Sequence, residues 1–553
     1  MKNFKFISIL SLALMITVSC EQEVIVATAP VVDTPDPITG TPGSADFSKF
    51  IAIGNSFVAG MQGGALFTEG QNNSLPAIMA TQFAASGVGG GAFNQPDIGA
   101  SLGYNLFISP NPGADGKVLG RLLLQNGTTP DCATGLISPR PTPQAYAVGN
   151  LEAVPDPSLN PGFMFTGSKP ALNNFAVPAI TVGQVLITQT GDWSNPNPAI
   201  GFSPFYARFA SSPGTSRIIT DASAASGTFA LVWLGLDDFF LHAAFGGDPT
   251  KAPLTDGATF ASTYGAVFGH PSLGLLTINP NLKVVVGNFP DIFKMPHFTS
   301  VTYNPIPLDE ASASQVSTGF AGYNAALDGL IANKAAFGIS DALASEIATR
   351  KVTFTASCTN KPLISDETLT DLGPEFDKLQ GAGAINASQR AALTPYQKVR
   401  QTTATDILPL AAGSVLGTLV GGNPTLINGV TVPLADQYVL IPSEITAINA
   451  AREAFNAAVA GTVAAFPNNL ALADIDAALN TLVTNKATVL NGVTITPNIN
   501  PPTGMYSEDG VHPNSRGYAF LSRTFIEAIN AKFGASVPLT DVSLYSATAL
   551  PIP

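Results

Sequence analysis

Three short apolar runs limit what this chain can become. Phe50–Ile53 stops at Gly54-Asn55, Phe229–Leu234 stops at Gly235, and Val284–Val286 stops at Gly287-Asn288. A strand with one wet face alternates apolar and polar residues. These runs are apolar throughout, as a strand buried on both faces must be. Helical stretches separate them, so they read as parallel strands with functional loops at their C-terminal ends. Apolar periodicity predicts helices over Leu75–Ala84, Ala258–Phe268, Gly319–Ala336 and Glu444–Ala465. In the last of these, Ile445, Ile448, Ala451, Phe455 and Val459 share one face. A final helix, Tyr518–Phe533, follows Asn514-Ser515 and stops at Gly534, which suits a left-handed cap. The expected fold class is α/β, a sandwich interrupted by two large insertions at about 85–165 and about 350–435, both rich in Gly, Pro, Asn and Thr.

Composition narrows the function classes. Charged residues make up 11% of the 553 residues, against roughly 25% in an average soluble domain, which excludes disorder of the whole chain. With 25 Lys+Arg against 38 Asp+Glu, and no basic cluster, the chain offers phosphates little, so no nucleic-acid partner is expected. Past residue 20 no apolar stretch is long enough to span a membrane. The first twenty residues differ: Lys2 and Lys5 precede the apolar run Phe6–Val18, then Ser19 and Cys20. That pattern is an export signal, too short for a spanning anchor. The small residue before Cys20 resembles a bacterial lipoprotein cleavage box, which implies a lipidated N-terminus at Cys20 and an outer-membrane lipoprotein of the cell envelope. Residues 21–45 read as an extended tether, 46–535 as the main domain and 536–553 as a C-terminal tail. Cys132 and Cys358 remain, and an oxidising envelope would permit a bond if they meet.

Four histidines simplify the search for a general base. His242, His270 and His297 sit beside apolar residues or Pro in contexts that read as structural. His512 follows Asp509 by three residues in a loop punctuated by Gly510 and Pro513, just before a helix. A carboxylate at that spacing can accept the imidazole Nδ1–H and leave Nε2 as a base, or it can merely cap a turn. At the other end of the chain, Ser56 lies just past the strand Phe50–Ile53, after Gly54 and before a helical stretch. A tight turn there exposes Oγ and aims the serine N–H in front of the sheet. The two features together are far more specific than either alone.

At this point the sequence resembles the SGNH (GDSL-type) hydrolase family, in particular large bacterial envelope lipoproteins. Gly54-Asn55-Ser56-Phe57 with Gly60 is similar to the family's first block, and Asn174 through Ala179 to its second. Gly235-Leu236-Asp237-Asp238 is similar to its third, and Asp509-Gly510-Val511-His512-Pro513 to its last. The resemblance implies a three-layer α/β/α sandwich, flavodoxin-like, on a parallel sheet, and ester hydrolysis through an acyl-serine. It assigns Ser56 as nucleophile, His512 as general base and acid, and Asp509 as its orienter. The oxyanion hole would use the Ser56 N–H, the Ala179 N–H and the side chain of Asp237.

Three positions depart from the family pattern. Asn55 stands for Asp, Ala179 for Gly and Asp237 for Asn. An ionised Asp237 would repel an oxyanion, whereas a protonated one, favoured by burial and by Asp238, would donate to it. Asn174 is the alternative donor. Two functions stay open. One is an exported serine esterase acting on glycan O-acetyl or lipid esters, with acyl transfer using the same residues. The other is a catalytically impaired binding or structural lipoprotein. No cofactor, nucleotide or metal is expected, because the sequence shows no phosphate loop and no Cys/His ligand spacing.

Overall fold

The computed structural model describes residues 39–105, 119–126, 132, 139–145 and 161–548. The signal segment, Cys20 and much of the first insertion lie outside the described residues. The chain is mixed α/β around a four-stranded, all-parallel sheet. Its strands are β1 (Phe50–Gly54), β2 (Phe229–Trp233), β3 (Lys283–Gly287) and β4 (Leu470–Ala473), adjacent in that order. Phe50 pairs with Phe229, Phe229 with Lys283 and Leu470 with Val284. The three apolar runs are thus β1 to β3, and every residue of β1 and β2 is buried. Strand β4, Leu-Ala-Leu-Ala, is apolar throughout as well, but it forms an edge, where Leu472 stays 36% exposed.

Beyond β1 the segment 173–177 adds to the sheet. Ala52 N–H donates to Asn173 O at 2.8 Å, Phe175 N–H to Ala52 O at 2.8 Å and Val177 N–H to Gly54 O at 2.9 Å. From one edge to the other the order is therefore 173–177, β1, β2, β3, β4.

Helices pack around the sheet. They are α1 (Ser56–Ala59), α2 (Leu75–Phe83), α3 (Ile218–Ala224), α4 (Asp237–Ala244), α5 (Gly257–Gly269), α6 (Glu310–Ala332), α7 (Pro442–Ala465) and α8 (Ser515–Phe533). On one face Phe83 of α2 meets Phe50 edge-on at 4.9 Å, while Phe533 and Phe525 of α8 meet Phe229 and Trp233 at 6.0 and 5.4 Å. A second group of helices interlocks through Phe455 of α7, stacked on Phe260 of α5 at 3.9 Å and 5.8 Å from Phe239 of α4. Phe455 is fully buried, so truncating it to Ala would cost about 3–5 kcal/mol. Helix α8 starts where Asn514 Oδ1 accepts the Gly517 N–H at 2.9 Å and stops at Gly534, at φ +64.

Several sequence expectations shift. Helix α6 begins at the Asp309 cap, whose Oδ1 accepts the Ser312 N–H at 2.7 Å, and ends before Asn333, rather than spanning 319–336. It also packs into a separate apolar cluster running from Ile306 to Val430, so this satellite core starts well before the boundary expected near 350. Amphipathic spacing says that a helix buries one face, not which core receives it. Residues 39–45 and 536–548, assigned to tether and tail, are packed: Ala45, Val537 and Val542 are buried, and Ser522 Oγ pairs with Thr540 Oγ1 at 2.6 Å. A Cys132–Cys358 disulfide joins the two insertions across a sequence separation of 226. Among the described residues no helix is long and apolar enough to cross a membrane.

Candidate active site

The end of β1 sets the geometry. A Cβ on Gly54 would lie 2.3 Å from Val58 Cγ2 and 2.9 Å from Trp233 O, so only glycine lets α1 fold back against the strand. Asn55 caps that turn, its Oδ1 accepting the Phe57 N–H at 3.1 Å. Ser56 follows at the start of α1, 3% exposed, and its N–H donates to no other described residue.

The loop before α8 arrives from the far end of the chain. Asp509 Oδ1 accepts the N–H groups of Val511 and His512 at 2.8 and 2.9 Å. Its Oδ2 accepts the Gly64 N–H at 2.5 Å and faces His512 Nδ1 at 2.7 Å. Ser507 Oγ accepts the Gly63 N–H at 2.8 Å and lies 2.8 Å from His512 O, tying the loop to the Gly63-Gly64 turn. His512 Nε2 then stands 2.8 Å from Ser56 Oγ. Because a carboxylate faces Nδ1, that nitrogen carries the proton and Nε2 presents its lone pair to the serine hydroxyl. Burial alone would raise the Asp509 pKa, yet the His512 charge and the hydrogen bonds just given hold it below the ordinary carboxylate range.

The residues expected to form an oxyanion hole lie at the same end of the sheet. The bond from Val177 N–H to Gly54 O carries residue 179 past the end of β1. Ala179 sits at φ +54, the left-handed region that favours glycine, and its N–H donates to no other described residue. Asp237 follows β2, whose last residue pairs with Gly54. The Ile180 N–H and the Asn55 side chain, neighbours of residues 179 and 56, lie near its carboxyl and pull its pKa down by less than its surroundings raise it. Burial first, and the Asp238 charge second, push its pKa up to about 8, which favours the protonated form near neutral pH. Its Oδ2 is buried without a partner. Asp238, raised to about 7 mainly by burial, pins the neighbouring loop by accepting the Val182 N–H at 2.9 Å.

No family model, curated protein or solved structure matches this chain.

The structure brings Ser56, Asp509, His512, Ala179 and Asp237 together. It does not free Asn174 as an oxyanion donor. The Asn174 Nδ2 donates to Val58 O at 3.2 Å and Gln95 Oε1 at 3.0 Å, and Oδ1 accepts the Ala176 N–H. That amide holds the loop instead. His242 Nδ1 bonds Ala252 O at 2.7 Å, and His270 Nδ1 accepts the N–H groups of Ser272 and Leu273, so both order turns. Sequence reasoning passed over the Gly63-Gly64 turn, although a Gly-Gly pair after a helix start was a signal for it. The structural reading of His297 holds, and its Nδ1 lies 3.2 Å from Asp509 O, a partner that the sequence does not reveal.

Elsewhere, carboxylate oxygens of Glu367, Asp436 and Glu444 lie within 4.8 Å of one another. Burial first, then neighbouring carboxylates, raise Asp436 to about 6 and Glu444 to about 8, and protonation relieves the repulsion. Glu444 Oε2 caps α7 by accepting the Ile441 N–H at 2.8 Å. A cavity of about 340 Å³ lined by Thr68, Glu69, Gly99, Ala100, Ser101 and Arg121 includes no triad residue.

Proposed function

We propose that this chain is an exported serine ester hydrolase of the SGNH type, anchored to the envelope by lipid at Cys20. One observation carries the reading: the relay from Asp509 through His512 to Ser56, at 2.7 and 2.8 Å, on a serine turn at a parallel strand end. The edge-to-edge order 173–177, β1, β2, β3, β4 reads 2-1-3-4-5 along the chain, the flavodoxin-like order in which ligands sit at the strand C-termini. That supports the three-layer sandwich. The Cys132–Cys358 bond supports an oxidising compartment.

In this mechanism Ser56 Oγ attacks the ester carbonyl as His512 Nε2 takes its proton, and Asp509 stabilises the imidazolium. The alkoxide oxygen of the tetrahedral intermediate takes hydrogen bonds from the N–H groups of Ser56 and Ala179 and from the protonated Asp237 Oδ2. His512 returns the proton to the leaving alcohol. Water then repeats the sequence on the acyl-serine. The substrate class is an acyl ester of a glycan or a lipid, and no cofactor takes part. The near-complete burial of Ser56, 3% exposed, favours a second reading in which the site is closed and the chain binds rather than cleaves.

The test uses protein from Glu21 onward on activated acetyl, butyryl and longer acyl esters, beside Ser56→Ala. Turnover absent from a folded Ser56→Ala variant is the expected result, and chain-length preference separates deacetylation from lipolysis. Equal rates in both proteins would remove Ser56 as nucleophile, and no turnover in either would favour the binding reading.

A further inference from the structure

We infer that His297 is a positioning residue for the catalytic loop: its Nδ1–H holds the carbonyl of Asp509 and thereby the direction in which the Asp509 carboxylate meets His512. The inference rests on the reading of Ser56, His512 and Asp509 as a hydrolytic triad.

His297 lies near the start of the short helix Pro296–Thr299, after β3. Its Nδ1 is 3.2 Å from Asp509 O. A carbonyl only accepts, so Nδ1 must carry the hydrogen and Nε2 is left with a bare lone pair. That Nε2 is sealed from solvent and has no partner. Around the ring stand Phe298, at 4.8 Å between centroids, and Phe240, at 6.2 Å. Burial pushes the His297 pKa below the ordinary histidine value, which keeps the ring neutral and its one proton on Nδ1.

The main chain of the same residue completes the grip. His297 N–H donates to Gly510 O at 2.9 Å, so this residue holds the carbonyls of two successive loop residues. Gly510 sits at φ +71, and a Cβ there would lie 2.6 Å from His297 N. The turn that reverses the chain between Asp509 and His512 is therefore moulded on His297. On its other side, His297 O accepts the Leu410 N–H at 2.7 Å, from the segment between Leu408 and Ala412, which belong to a third, smaller apolar cluster. A residue chosen only to fill an apolar pocket would not need a donor at Nδ1, and burying an imidazole with a bare Nε2 is unfavourable. The Asp509 carbonyl is what that nitrogen serves. Catalytic groups lose efficiency when displaced by about half an ångström, so the loop needs such a support.

Two variants separate positioning from filling. His297→Phe keeps a ring and removes the donor, whereas His297→Asn keeps an N–H close to the Nδ1 position. The expected result is a folded Phe variant whose kcat falls about tenfold with KM unchanged, with the Asn variant restoring most of the loss. Proton NMR supplies the second readout: the low-field Nδ1–H signal of His512, which reports its bond to Asp509, should shift or broaden in the Phe variant and return in the Asn variant. Should the Phe variant fail to fold, His297→Leu takes its place. A donor-less variant with native kcat and a native low-field signal would overturn the inference, as would an Asn variant impaired as badly as the Phe variant. The NMR arm needs no turnover, so an inactive wild-type protein would count against the proposed function while leaving the role of His297 open to judgement by that signal.

Discussion

His512 Nε2 meets Ser56 Oγ at 2.8 Å across 456 residues of sequence. Two anchors fix that meeting. The Gly63-Gly64 turn, just after α1, bonds Ser507 Oγ and Asp509 Oδ2, and Tyr518 of α8 donates its hydroxyl to Met61 O at 2.7 Å. The first and last helical elements of the sheet domain are thus stitched together on either side of the reacting pair, and every bond in the stitch is buried.

The charge on Asp509 is the first thing to remove. Asp509→Asn retains the shape but gives His512 Nδ1 no carboxylate and weakens the acceptor for three backbone N–H groups. With turnover measured at saturating ester, kcat should fall by about 10³–10⁴ with KM little changed. A loss under about tenfold would mean that Asp509 is only a turn residue.

Position 237 makes a prediction in pH. The ordinary aspartate value is 3.8 and the folded value about 8, so between them the folded chain keeps a proton that the unfolded chain has released. Stability therefore falls as pH rises through that window, by up to about 1.4 kcal/mol per pH unit, and Asp238 adds a slope of the same sign. Asp237→Asn has no proton to lose. Its melting temperature should exceed that of wild type by a margin that grows from pH 5 to pH 8. Activity should agree: wild type loses rate above about pH 8 as the donor ionises, and the Asn variant should not. An alkaline limb common to both proteins would show that the oxyanion does not depend on Asp237.

Ala179 carries backbone strain at φ +54. An L-residue in that region costs about 1 kcal/mol, partly offset in Ala179→Gly by the greater freedom of glycine in the unfolded chain. The variant should gain about 0.5 kcal/mol in urea denaturation and keep its kcat/KM, because the N–H remains. A loss of more than about 1 kcal/mol would mean that the Ala179 methyl packs usefully and the strain is nominal.

What the sequence made legible follows from range. β1, β2 and β3 announce themselves because a strand buried on both faces has no room for polar residues, and Ser56 and His512 each stand beside glycines that local geometry requires. β4 escapes notice although its Leu-Ala-Leu-Ala run is as long as Phe50–Ile53, because Leu and Ala suit a helix as well as a strand and no Gly-Asn stop follows. The satellite core was placed too late because α6 has the same periodicity whichever core it joins. Asn174 and His297 hide what they bond for a common reason. Their partners, Val58, Gln95 and Asp509, lie far off in sequence, and nothing beside either residue encodes them.

The Cys132–Cys358 bond is the last case of that kind, and it carries a stability prediction. Closing a loop with a sequence separation of 226 removes much of the freedom of the unfolded chain. In the chain-entropy account so long a loop is worth about 5 kcal/mol, and measured disulfides more often deliver about 2–4 kcal/mol. Cys132→Ser with Cys358→Ser should therefore lower the denaturation midpoint under non-reducing conditions. Adding a reductant should lower the midpoint of the wild-type protein to that of the double variant and leave the variant where it is. The triad needs neither sulfur, so the variant should hydrolyse esters at the wild-type rate well below its melting temperature. Equal midpoints for the oxidised wild type and the double variant would mean that the region around the bond unfolds separately from the sheet domain, and that the bond joins the insertions without supporting the fold.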